Sequence, residues 1–488
     1  DKETGLVFFS GFAAVINAMR KAPKFVIARV QGKAVGGGVG IAASADYTFA
    51  VNDASIKLSE LAVGIGPFVV LSIVIQLMGG PWFLYAWLAG AVLSIIDAMI
   101  WSELGAAFPL AGGSFNFLRA SYGEKSWGKL FSFLYVWQTM LQAPLVVASG
   151  AIGFAHYFGF LVPLNDITSR IVSGSIVIVL TLLLYRKIET IGKISILLWS
   201  GVIFTMLWII YGGISNGHFT EPLKHINDGF TLNAAFAAAL GAASVKTIYS
   251  YLGYYNVCHL GGEIKNPAVN IPRSMFISVI GIAILYLLMN ISVGSVIPWQ
   301  DIKAWQVGGK NDYVVSLFIE KLYGHGAAIV ATIMILWVAL ASLFAVMLGY
   351  SRVPYAAAID GAFFKVFSKL HPTKNFPYVS LLVLSVLAFV FSLLFKMADI
   401  ISGILAMRIM VQFIGQAIGV TLLRKRNGNA SLPWKMPLYP LPVILAIIMW
   451  LFIFYATGTT TIGSFLIVFG SGLVVYFIKA KIKSEWPF

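Results

Sequence analysis

Charge is scarce in this sequence: 11% of its 488 residues are Asp, Glu, Lys or Arg, against about 25% in soluble globular domains. That shortage excludes an ordinary water-soluble chain. Cysteine is scarcer still. The single Cys258 rules out an intramolecular disulfide framework, and its place inside an apolar run marks a buried, inert thiol. Acidic residues number 19 against 34 basic ones, a net charge of +15. Such an excess suits a nucleic-acid partner only when it forms one face or block, whereas here the basic residues fall in short loops between apolar runs. No nucleic acid, cofactor or metal is expected. The chain begins at Asp1 without a basic-then-apolar leader, so its N-terminus is expected to be incomplete or processed.

What the sequence has is apolar mass: 59% hydrophobic residues, 47 glycines and 36 phenylalanines, with a mean hydropathy of +0.87. Small residues let membrane helices approach, and aromatics fill the lipid face and interfacial belts. Residues 1–63 differ, carrying twelve charged residues and no uncharged stretch near the ~18 residues a span needs. After them, apolar segments at about 82–106, 127–157, 171–185, 194–213, 234–258, 275–297, 325–350, 379–396, 401–423, 438–458 and 461–478 can each cross the bilayer as a helix. A shorter run, 67–78, reaches about half a bilayer before Gly79-Gly80-Pro81 ends it. Across alternate loops Lys and Arg divide nineteen to six, which predicts that the richer side, the C-terminus included, is cytoplasmic.

Two stretches predict broken helices, Gly64-Ile65-Gly66-Pro67-Phe68 ahead of the short run and Tyr249-Ser250-Tyr251-Leu252-Gly253 within 234–258. Unwound backbone at membrane depth is tolerated where it lines a cavity, and half-helix ends supply partial charges for a zwitterionic solute. A glycine packing notch between helices is the plainer alternative for either stretch. Four ionisable residues lie inside spans: Asp97, Glu103, Lys246 and Arg408. Intramembrane charge faces a cavity, a partner or an interface. Lys246, one turn before Tyr249, is the candidate for solute sensing or proton coupling, with a paired or snorkelling lysine as its alternative reading. Glu103, near a helix end, reads as a structural anchor.

Trp101 to Arg119 (WSELGAAFPLAGGSFNFLR), Gly261 to Ser274 (GGEIKNPAVNIPRS), and Ser351 to Ala356 followed by Asp360-Gly361 and His371-Pro372 to Pro377 resemble motifs of the amino acid-polyamine-organocation superfamily of permeases. The resemblance covers about 64–479, leaving 480–488 as a cytoplasmic tail. It implies an all-α membrane protein with a LeuT-type five-plus-five inverted repeat plus two extra helices. It also implies a bacterial inner (plasma) membrane location, an amino-acid or amine solute moved by alternating access, and no enzyme activity. By position it places substrate on Gly64, Ile65, Gly66 and Phe68 through backbone amides, and on Tyr249, Ser250, Tyr251 and Gly253 through carbonyls. Pro67 departs from the family's pattern, having no N–H. The lysine that proton-coupled relatives carry midway along the fifth helix has no counterpart in Ile194–Ile210, so proton coupling is open and the ion unknown.

Residues 8–67 resemble the middle of an enoyl-CoA hydratase, an α/β crotonase-like fragment. Phe25 to Val30 reads as a buried strand leading into the glycine turn around Gly36-Gly37-Gly38. Gly37 matches that family's oxyanion-hole glycine and Glu60 one acid/base carboxylate, while Gly40 replaces the other. Hydration next to a thioester needs two donors around one oxygen and a positioned base, which this slice lacks. The sequence therefore predicts a crotonase-like fragment, residues 1–63, joined by gene fusion or a joining error at the Gly64–Val70 string that both patterns share to a permease whose first helix lacks its cytoplasmic half, Tyr47 to Val63 holding Asp53, Lys57 and Glu60. Impaired transport is the expectation, with a membrane-tethered hydratase or isomerase, or a transport-dead product, as alternatives.

Overall fold

The structure is a computed structural model. It describes residues 27–30, 47–50 and 64–488, the last with breaks at 111, 186–187, 217, 225, 260–263, 265, 306–312, 375 and 428–431. Two four-residue strands, β1 (Ile27–Val30) and β2 (Tyr47–Ala50), pair in parallel with Ile27 opposite Tyr47. The strand β1 falls within the stretch Phe25 to Val30 read as a strand, and the glycine turn expected after it lies outside the described residues. Gly37, Gly40 and Glu60 lie outside the described residues, as does 51–63, which is the segment Tyr47 to Val63 expected to replace the first half-helix less its first four residues, β2.

The rest is helical: α1 (Gly66–Met78), α2 (Phe83–Ala107), α3 (Trp127–Leu161), α4 (Asp166–Leu184), α5 (Ile188–Ser215), α6 (Ala234–Tyr251) and α7 (Pro267–Val296). Then come α8 (His325–Tyr350), α9 (Tyr378–Leu394), α10 (Met397–Arg408, a π-helical stretch Ile409–Ile414, then Gly415–Asn427), α11 (Leu441–Ala456) and α12 (Thr459–Lys483). Seven of these stretches are long and apolar enough to cross a membrane, and four shorter apolar helices accompany them. Each run expected from the sequence is found as a helix. The helix α12 continues to Lys483, so the tail expected from residue 480 begins as its last turn.

Small residues set the spacing of these helices. A Cβ on Gly90 of α2 would stand 2.8 Å from Thr247 Oγ1 of α6, and that hydroxyl donates to the Ala86 carbonyl at 2.8 Å. A Cβ on Gly213 of α5 would stand 2.5 Å from the backbone of Ser292 in α7. Close backbone approach and interhelical hydrogen bonds are what hold helices together where lipid is as apolar as the side chains. Large rings fill the remaining space, with Trp87 and Trp101 of α2 buried and Phe413 stacked on Trp450 at 4.1 Å.

Glu103, read from the sequence as a structural anchor, forms a buried ion pair with Arg424 near the end of α10. Arg424 donates from Nε to Oε1 at 2.7 Å and from Nη2 to Oε2 at 2.5 Å, and the Met436 amide adds a third bond at 2.7 Å. A two-pronged guanidinium and a backbone amide satisfy the carboxylate, which is why the charge is tolerated there.

Candidate functional site

The helix α1 starts where the sequence placed a break. Ile65 caps it, and Pro67 sits in its first turn, where a missing N–H costs no hydrogen bond. The amides of Phe68 and Val69 turn back to the Ile65 carbonyl at 3.1 and 3.3 Å. Among the described residues the N–H groups of Ile65 and Gly66 meet no acceptor, which is the ordinary state of a helix N-terminus and the basis of its affinity for anions. Pro67 therefore removes a donor that the helix start can spare, while Ile65 and Gly66 keep theirs. At the other end Gly79 takes φ +70° and its N–H closes on the Ile75 carbonyl, the stop expected at Gly79-Gly80.

The break in α6 falls slightly later than the sequence suggested. Tyr249, Ser250 and Tyr251 form the last helical turn, and Leu252 (φ −58°, ψ 140°) leads into Gly253 at φ +119° before a single turn at Asn256–His259. Only glycine adopts that φ without strain, so Gly253 locates the interruption. The Ser250 carbonyl accepts from Tyr286 Oη of α7 at 3.1 Å and Tyr251 Oη donates to the Trp87 carbonyl at 3.1 Å. Tyr249 Oη lies 2.7 Å from Ser149 Oγ of α3.

The two breaks meet. A Cβ on Gly66 would stand 3.0 Å from Ser250 Oγ and 3.2 Å from Ser250 Cα, and one on Gly64 would stand 3.3 Å from Ser342 Cβ of α8. The buried Ser250 hydroxyl has no protein partner. Phe68 is buried, and its carbonyl accepts from Tyr157 Oη of α3 at 3.0 Å. Gly66 and Ser250 thus meet at one junction, with Gly64 and Ile65 beside the first and Tyr249 and Tyr251 beside the second along the chain. The positive end of α1 adjoins the negative end of α6, a pairing suited to carboxylate and ammonium of one solute.

Of the other intramembrane charges, Lys246 lies on α6 itself, and Asp97 and Arg408 reach the turn that follows it. Lys246 is 6% exposed, and its ammonium donates to the Ala398 carbonyl at 2.6 Å and Ser402 Oγ at 2.8 Å. It therefore joins α6 to the first turns of α10. Asp97 of α2 accepts from Tyr254 Oη at 2.5 Å and Trp450 Nε1 at 3.0 Å. Arg408 donates to Gln142 Oε1 at 3.0 Å and to Tyr350 Oη, and its guanidinium lies over the Tyr255 ring. Tyr254 and Tyr255, in the break itself, are thus held on one side by Asp97 and on the other by Arg408.

Sequence reading missed Ser149, Ser342, Tyr157 and Tyr286, as well as Gln138 and Gln142. A usable signal was there for α3: Gln138, Gln142 and Ser149 recur at intervals of four and seven in an apolar helix, so they share one face.

The amino acid permease family model matches residues 6–478. The serine/threonine exchanger of Bacillus subtilis (strain 168) is 27% identical over 82% of this chain and 89% of its own length. Its branched-chain amino acid permease is 24% identical over 87% and 90%, and its aspartate-proton symporter 25% over 84% and 78%. The family match runs through the segment read as hydratase-like and does not support a separate crotonase-like domain or a fusion there. The family and these relatives are transporters, and the chain is an integral membrane protein of the amino acid permease family.

Proposed function

We propose that this chain is a secondary transporter of an amino acid or related amine in a bacterial plasma membrane, with solute held where α1 and α6 break. The observation that carries this reading is the junction of Gly66 with Ser250, which sets two half-helix ends of opposite partial charge against one another. The solute carboxylate takes the Ile65 and Gly66 amides, and the ammonium takes carbonyls beside Gly253. Alternating access then amounts to rocking α1, α2, α6 and α7 against the remaining helices, with α1–α5 and α6–α10 as the two repeats. Lys246 is the coupling candidate: protonated, it ties α6 to two acceptors on α10, and a proton lost there loosens the tie. The relatives include an exchanger and a proton symporter by name, and both modes suit this reading.

The segment ahead of α1 is the weak part of the machine. Tyr47 to Val63 contains Asp53, Lys57 and Glu60, and placing an Asp or Lys near the bilayer centre costs about 2.5–3.5 kcal/mol each. Such charges disfavour insertion of this stretch as an apolar half-helix ahead of α1, and slow transport is the outcome we propose. Binding tests the site separately: thermal unfolding of the purified chain against each amino acid and amine should show a saturable rise for a small set of solutes. A flat response to all of them would contradict the site.

A further inference from the structure

Arg408 lies at the edge of a second polar space, distinct from the junction of the broken helices. It is 5% exposed and stands at the last turn before the π-helical stretch of α10. Together with Tyr135, Gln138, Thr139, Gln142, Met407 and Gln412 it lines a narrow cavity between α3 and α10 with room for a group of about the size of a water molecule. Gln142 is seven residues from Ser149 on α3, about 10 Å along the helix. Tyr350, which receives a hydrogen bond from Arg408, is eight residues beyond Ser342 on α8. Both displacements run the same way, from the α1–α6 junction toward the loops rich in Lys and Arg.

The polar atoms left over in this cavity are of one kind. Arg408 Nε and Nη1, Gln138 Nε2 and Gln142 Nε2 are buried without a protein partner, and every one of them is a donor. Of the neighbouring polar groups, Gln142 Oε1 already accepts from Arg408, Thr139 Oγ1 donates to the Tyr135 carbonyl, and Gln412 Nε2 donates to Ser114 Oγ. Among the described residues no carboxylate pairs with Arg408. A guanidinium keeps its proton, so its charge is a fixed cost at this depth unless an acceptor meets it. A buried cation with two unmet donors, flanked by two unmet amide donors, favours a guest that accepts hydrogen bonds, and the narrowness of the cavity limits that guest to a few atoms.

We infer that Arg408, Gln138 and Gln142 form a binding site for a small monovalent anion, a carboxylate group or a halide. The two sources are the carboxylate of a solute on its way past the junction, and an inorganic anion held as a fixed counter-charge to Arg408. Because the guanidinium also lies over Tyr255, an anion here bears on the break in α6. The site does not depend on the transport reading: anion binding and amino-acid uptake fail or succeed independently.

The test uses the purified full chain in gluconate buffer at constant ionic strength, with thermal unfolding followed as chloride, bromide or formate replaces gluconate. A saturable rise in Tm, of the order of 5 °C at a hundredfold excess over the midpoint, is expected for the unaltered chain. Arg408→Gln should abolish it, and Gln138→Leu should raise the midpoint severalfold. Should Arg408→Gln fail to fold, Arg408→Lys keeps the charge without the planar fork and should weaken the response at least tenfold. Serine that shifts the chloride midpoint upward, while serinol with no carboxylate leaves it in place, identifies the solute as the source; no shift with either identifies the inorganic anion. A flat anion response in the unaltered chain, or one equal in Arg408→Gln or Arg408→Lys, overturns the site.

Discussion

Gly66 and Ser250 touch across the two broken helices: a Cβ on Gly66 would fall 3.0 Å from the Ser250 hydroxyl oxygen and 3.2 Å from the Ser250 Cα. The second contact is with backbone, which cannot swing aside as a long side chain can. Gly66→Ala should lower uptake about tenfold, since a shift of about 1 Å at a binding site costs roughly that or more. Gly66→Val should abolish it, at unchanged membrane expression. Gly64→Ala meets only the Ser342 side chain at 3.3 Å and should lose less than Gly66→Ala. Equal losses at both glycines would remove the special role given to the Gly66 contact.

Tyr286 anchors the same turn from α7 through its bond to the Ser250 carbonyl. Tyr286→Phe leaves ring packing in place and removes that donor, a net effect of about 1 kcal/mol. The expected result is an about fivefold rise in the solute concentration for half-maximal uptake with little change in thermal stability. A large stability loss with unchanged solute affinity would make Tyr286 a packing residue only.

Lys246 should contribute to the pH dependence of uptake, because its two bonds to Ala398 and Ser402 join the broken helix to α10. Lys246→Met, measured as uptake rate against external pH, is expected to flatten the profile. An unchanged rate and profile would leave it a buried, paired lysine with no part in coupling.

The Glu103–Arg424 pair gives a stability prediction. Glu103→Gln keeps the volume but leaves Arg424 without its carboxylate, and breaking one partner of a buried pair costs about 3–5 kcal/mol. A fall in Tm of several degrees is expected, recovered in part when Arg424→Gln is added. If the double variant is no more stable than Glu103→Gln alone, the penalty does not come from the orphaned charge.

Much of this was legible before any coordinates. The helices emerged from apolar runs, because the bilayer imposes a length that composition alone reveals, and Gly79, Gly253 and the Gly64 stretch marked the interruptions. The exact end of α6 was not legible, since Tyr249 to Tyr251 stay helical through a φ at Gly253 that only geometry discloses. Nor were the partners of the buried charges: Gln142 is 266 residues from Arg408 and Ala398 is 152 from Lys246, and nothing in local sequence links them. Orientation rests on the nineteen-to-six division of Lys and Arg. Single cysteines at Asn427 and Asn216 in a Cys258→Ser background should be labelled from inside and outside respectively, and the reverse pattern would invert the topology.

The most direct measurement is uptake of a mixed labelled amino-acid and amine pool into proteoliposomes by two chains, this one and a chimera whose first 63 residues are exchanged for an apolar half-helix from a related permease. The account predicts slow uptake by the unaltered chain, at least tenfold faster uptake by the chimera, and loss of that gain when Gly66→Val is added. A chimera that accumulates nothing, or one that Gly66→Val does not affect, would contradict solute transport through the junction of α1 and α6.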